Sequence, residues 1–103
     1  MNKSKLEVRY SYCLLEITPE WLTISDIYED EIKYTCETKD AYPDNMFPES
    51  SESWFHLLSF EDERVIDGFC DLIAAYVNDW IEEYLEKYSM WLKQAGFVIK
   101  YIK

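Results

Sequence analysis

The stretch from residue 60 to residue 87, FEDERVIDGFCDLIAAYVNDWIEEYLEK, decides how this chain folds. Val65, Ile66, Phe69, Ile73, Tyr76, Val77, Trp80, Ile81, Tyr84 and Leu85 recur at steps of three and four, and Tyr88, Trp91 and Leu92 continue the series. That spacing predicts an amphipathic helix from about residue 61 to about residue 94. Ser59 can cap it, and Glu61, Asp62 and Glu63 suit the positive end of its dipole. One unbroken helix would be about 50 Å long at ~1.5 Å per residue, more than a small domain's diameter. A break is therefore expected, with VNDW at 77 to 80 the candidate, although it holds no Gly or Pro.

The polar side of this stretch is acidic. Residues 61 to 86 hold nine acids and only Arg64 as a base, whereas residues 87 to 103 hold four lysines and no acid. On one helical wheel Asp67, Asp71, Asp79, Glu82 and Glu86 fall on one side, opposite the Trp and Tyr stripe. Like charges at i, i+4 cost a helix a few tenths of a kcal/mol per pair. A helix built only for stability would intersperse lysines. The expectation is a docking surface for a cationic partner; the competing explanation is a solvated face on an acidic protein.

The region before the helix reads as sheet. KLEVRYSYCLLEI, 5 to 17, alternates, with Leu6, Val8, Tyr10, Tyr12 and Leu14 on one face and a phase shift at the Leu14–Leu15 doublet. ITPEWLTISDIY, 17 to 28, could start a helix at Pro19, but its β-branched content favours a strand with Leu22 and Ile24 on one face. EIKYTCET, 31 to 38, sets Ile32, Tyr34 and Cys36 against Lys33, Thr35 and Glu37. Residues 39 to 58 form an irregular stretch, turn-rich and polar but carrying Tyr42, Met46, Phe47 and Trp54. Gly96 is a helix stop, and FVIKYIK can return as a final strand with Phe97, Ile99 and Tyr101 on one face and Val98, Lys100 and Ile102 on the other. The predicted class is α+β: one domain over residues 1 to 103, with a small antiparallel sheet of three or four strands packed against one long or two consecutive C-terminal helices. Its segments are a β-meander at 1–38, the irregular loop at 39–58, a helical part at 60–95 and a last strand at 97–103.

The 103 residues carry a net charge of −11, which disfavours direct contact with nucleic acid or an anionic membrane and favours a basic protein. No apolar run is long enough to span a bilayer, and the first residues lack the apolar core of a secretory signal. Cys13, Cys36 and Cys70 are odd in number and widely spaced, which suits reduced thiols and a cytoplasmic location. The single histidine, His56, sits among apolar residues in WFHLLSF, and two glycines cannot build a phosphate-cradling loop. The carboxylate runs YEDE and FEDE lack the spacing of a calcium loop. No catalytic residue, metal ligand or cofactor is assigned, and an enzyme is not expected. An enzyme would need His56 or a carboxylate pair gathered in a pocket.

Two functions fit these features. The first is a protein-binding inhibitor that neutralises a basic, nucleic-acid-handling partner such as a nuclease toxin or defence protein. Immunity proteins, antitoxins and phage-encoded inhibitors share this physical design in bacterial and phage settings, an analogy of composition and charge rather than a family resemblance. Asp67, Asp71, Asp79, Glu82, Glu83 and Glu86 would supply the charge, with Tyr42, Phe47 and Trp54 as aromatic anchors. The second is an interaction module without inhibitory activity, or a homodimer that covers a surplus apolar stripe.

Overall fold

The computed structural model describes residues 4–41 and 63–103, and shows the expected α+β architecture with five strands. The strands are β1 (Lys5–Tyr10), β2 (Cys13–Ile17), β3 (Trp21–Asp26), β4 (Glu31–Glu37) and β5 (Val98–Ile102). They form one antiparallel sheet in the order β4-β3-β2-β1-β5. Two helices, α1 (Glu63–Val77) and α2 (Ile81–Ala95), follow the meander and precede the closing strand.

The extra strand comes from the stretch 5 to 17, which is a hairpin and not one strand. Ser11 and Tyr12 form its two-residue turn, with Tyr10 opposite Cys13 and Ser11 at φ 54°. A positive φ at a loop residue matches the twist of the flanking strands. The reversal moves the apolar phase by one. Cys13, Leu15 and Ile17 join Leu6 and Val8 in the core, and Leu14 pairs with Arg9 and Ser25 on the outer face. The Leu14–Leu15 doublet is the trace of that reversal in the sequence.

After β2 the chain turns through Pro19. The Thr18 hydroxyl accepts the backbone N–H of Trp21 at 3.1 Å and of Glu20 at 3.3 Å, so this threonine organises a strand turn and not a helix cap. Leu22 and Ile24 then point into the core as expected. The next turn is held by the Asp26 carboxylate, which accepts from the N–H of Tyr28 and of Glu29. In β4 the register slips: Ile24 faces Tyr34, but Ser25 faces Ile32. Lys33 is the extra residue of this bulge, and Ile32 consequently leaves the face it was expected to share with Tyr34 and Cys36; it is 62% exposed.

The helical stretch breaks at the candidate VNDW, between Val77 and Ile81. Asp79 adopts φ 60°, and backbone N–H groups of Asp79 and Trp80 bond to the carbonyls of Tyr76 and Ala75. This left-handed stop serves in place of glycine, because Asp tolerates that conformation better than most residues. The Asn78 side chain reinforces it by donating to the Ala74 carbonyl at 2.9 Å. Gly96, at φ 104°, ends α2, its N–H turned to Lys93. A side chain there would be strained and would also lie 3.2 Å from the Tyr10 ring.

Both helices cover one face of the sheet. Phe69 of α1 stacks edge-on against Phe97, with centroids 5.2 Å apart, and Tyr10 closes the trio. Gly68 permits that approach, since a Cβ would sit 2.7 Å from the tip of the Phe97 ring. At the other end of α1, the Tyr76 hydroxyl shares a 2.8 Å hydrogen bond with Ser4. Phe97, Ile99 and Tyr101 share a face, as the alternation predicted, and that face is the inner one, while Val98 and Ile102 are exposed.

Candidate functional site

The break between the helices rearranges the acids. Asp67 and Asp71 are exposed on α1, Asp79 occupies the junction, and Glu82, Glu83 and Glu86 are exposed on α2. They do not form the single ridge opposite the aromatic stripe that one continuous helix predicts. Asp79 and Glu82 lie toward β5, where the Lys103 ammonium is 2.7 Å from Glu82 and also feels the charge of Asp79. Asp71 instead lies against the aromatic row of α2. The break also places Glu82 and Glu83 in the first turn of α2, so the helix dipole offsets part of their cost, a benefit the sequence assigned only to residues 61 to 63.

Asp71, Trp80, Tyr84, Tyr88 and Trp91 line an open cleft of about 440 Å³. The four aromatic residues follow helical spacing along one strip of α2. Trp80 meets Tyr84 edge-on at 5.4 Å, and Tyr84 meets Tyr88 at 4.8 Å. Tyr84 is buried and forms the floor, whereas Trp80 is 40% exposed, Trp91 45% and Tyr88 38%. Burial raises the Asp71 carboxyl above its ordinary range, and neighbouring Asp67 adds to the rise. Burial also pushes the Tyr84 phenol up to about 12, with the Asp71 charge contributing. Both shifts have the sign produced by negative charge held near apolar rings without a compensating cation. Among the described residues neither Asp67 nor Asp71 makes an ion pair; nor do Glu83 and Glu86. Lys87 lies near the cleft, its ammonium 5.4 Å from the Tyr88 centroid.

Two other features lie outside this cleft. An apolar groove of about 380 Å³ runs between α2 and β5, lined by Leu85, Leu92, Phe97, Val98 and Ile99 among others. Among the described residues it is lined by no carboxylate, and Lys93 is the one charged residue. Neither Cys13 nor Cys36 is an activated thiol. Burial pushes Cys13 up to about 12, with Asp26 adding to the rise, and burial raises Cys36 as well. Among the described residues no three His, Cys, Asp or Glu side chains are grouped to hold a metal, and no helix is long and apolar enough to cross a membrane. Tyr42, Phe47, Trp54 and His56 lie outside the described residues.

The cleft was only half legible in the sequence. Trp80, Tyr84, Tyr88 and Trp91 read as core because of their spacing, yet Tyr84 alone of the four is buried. The available signal was composition: the stripe is mostly aliphatic in α1 and richer in aromatic residues from Trp80 onward, with Lys87 and Met90 beside it.

No family model matches this sequence, and no curated protein or solved structure is significantly similar to it.

Proposed function

We propose that this chain is a small acidic inhibitor that binds and neutralises a basic, nucleic-acid-handling protein, such as a nuclease toxin or a defence protein. One observation carries the reading: Asp67, Asp71, Glu83 and Glu86 are exposed and lack ion pairs among the described residues, and exposed Trp80, Tyr88 and Trp91 stand beside Asp71. Charge of this sign steers a cationic surface toward the helices. Amphipathic aromatic rings supply the desolvated contacts that give such an encounter a long lifetime. The acids would then occupy the places where phosphates bind on the partner. No catalytic step by this chain is required, and the partner is held by stoichiometric association.

The test is capture from a cell lysate at low salt, with the native chain and with a variant carrying Asp71→Lys, Glu83→Lys and Glu86→Lys. The expected result is a basic nucleic-acid-binding protein retained by the native chain, lost with the charge reversal and released as salt rises. Retention of the same proteins by both chains would contradict the reading.

A second reading has its own observation. Among the described residues β5 is an edge strand, with Val98 64% exposed and Ile102 also exposed, beside the apolar α2–β5 groove. Such an edge is a template for a further strand, which fits an interaction module or a homodimer. A concentration-independent monomer mass in solution would remove the homodimer.

A further inference from the structure

We infer that the cleft between α1 and α2 is a receptor for one arginine side chain of the partner, with the guanidinium seated among Trp80, Tyr84, Tyr88 and Trp91 and paired to the Asp71 carboxylate. This rests on the proposal of a basic protein partner and names the group that partner inserts.

Four kinds of observation converge on a cation with a flat face. The walls are aromatic, and the negative faces of Trp and Tyr rings attract cations. Asp71, the one acid lining the cleft among the described residues, sits beside these rings, makes no ion pair among those residues and has the further negative charge of Asp67 beside it. The ammonium of Lys87, the neighbour of Tyr88 in the chain, lies 5.4 Å from the centroid of the Tyr88 ring, so one of the rings that line the cleft already has a cation over it. Size is the fourth: about 440 Å³, open on one side, admits a side chain with its stem and excludes a folded element.

Arginine fits better than lysine. Its guanidinium is planar, stacks on ring faces and presents a fork of donors that matches a carboxylate in two parallel hydrogen bonds. It is also more weakly hydrated than an ammonium, so it enters an aromatic cleft at smaller desolvation cost. A nucleic-acid-handling protein carries arginines for phosphate recognition, so capturing one would remove a group its own substrate needs.

The test uses the full chain and a capped Gly-Arg-Gly peptide, with a capped Gly-citrulline-Gly peptide as the neutral twin of the same shape. Indole N–H resonances report the site, with Trp80 and Trp91 in the cleft and Trp21 on the outer face of the sheet as internal control. The arginine peptide should move Trp80 and Trp91 saturably and leave Trp21 in place. The citrulline peptide, and the arginine peptide with Asp71→Asn, should each bind about tenfold more weakly or worse, the loss expected for a charge-assisted pair. Asp71 is exposed, so its substitution leaves the core intact, and unchanged Trp21 and Phe97 resonances confirm this. Equal binding of the two peptides, full affinity in Asp71→Asn, or Trp21 shifting in step with the others would overturn the inference. Its failure is separable from failure of the inhibitor reading. A basic partner still captured by a chain whose cleft ignores arginine sinks only the cleft. An arginine-binding cleft on a chain that captures no basic protein sinks only the inhibitor.

Discussion

The two helices have the same length and opposite uses. Each runs 15 residues, yet α1 buries Val65, Phe69, Cys70, Leu72, Ile73 and Ala75, whereas α2 buries only Ile81, Tyr84 and Leu92. The first helix holds the sheet. The second packs beside the first, toward β5, and turns tryptophan, tyrosine and carboxylate side chains outward. A helix retained for stability alone would not leave Trp80, Tyr88, Met90 and Trp91 exposed beside uncompensated acids. The contrast places the core of the helical layer in α1 and, on the proposed function, recognition in α2, and it can be broken by substitution on either side.

The largest effect is expected in α1. Phe69→Ala removes a ring enclosed by Tyr10 and Phe97 and should cost about 3–5 kcal/mol in urea unfolding. Trp91→Ala in α2, an exposed position, should cost about 1 kcal/mol or less. Equal losses would erase the division between the helices. Gly68→Ala should come next, at about 1–3 kcal/mol, because the new methyl collides with the enclosed Phe97 ring.

Smaller effects sharpen the assignment of recognition to the acids. Asp71→Asn should leave stability within about 0.5 kcal/mol of the native chain, and its sign is informative. The Asp71 carboxyl is raised in the folded protein, so the charged form is disfavoured by folding. Its ionisation therefore weakens the fold at neutral pH, and the penalty disappears as pH falls through the raised range and into the ordinary carboxylate range. The variant should be slightly more stable than the native chain near neutrality and equal to it in acid, as read from paired melting curves. The smallest effect is at Glu82→Gln, which breaks an exposed pair with Lys103 and should change stability by about 0–1 kcal/mol, less at high salt. Thiol labelling offers an independent check of the core: Cys13, buried and pushed up to about 12, should react more slowly than half-buried Cys36.

The sequence disclosed more of the fold than of the site. Strand alternation at 21–26 and 98–102 and the three-and-four spacing of the helices are local periodicities, and both survive folding. The break at Asp79 was legible from length alone. The turn at Ser11–Tyr12 was hidden because neither residue is a Gly, Asn or Asp that announces a hairpin. The bulge at Lys33 left no local mark, since the slip depends on the pairing with β3. The cleft was hidden for a related reason. Periodicity shows which α2 residues share a strip, but which part α1 covers depends on the angle set at the junction. The same junction moved Asp71 from the expected acidic ridge to the side of the rings and gave Glu82 a partner in Lys103.

The account stands most directly on a titration. Once a basic nucleic-acid-handling protein has been captured, its activity on nucleic acid should be followed as increasing amounts of this chain are added at low salt. The account predicts a linear fall to near zero at one equivalent, with no effect from a chain carrying Asp67→Asn, Asp71→Asn, Glu83→Gln and Glu86→Gln. Full activity in the presence of excess native chain, or equal inhibition by the neutralised variant, would contradict it.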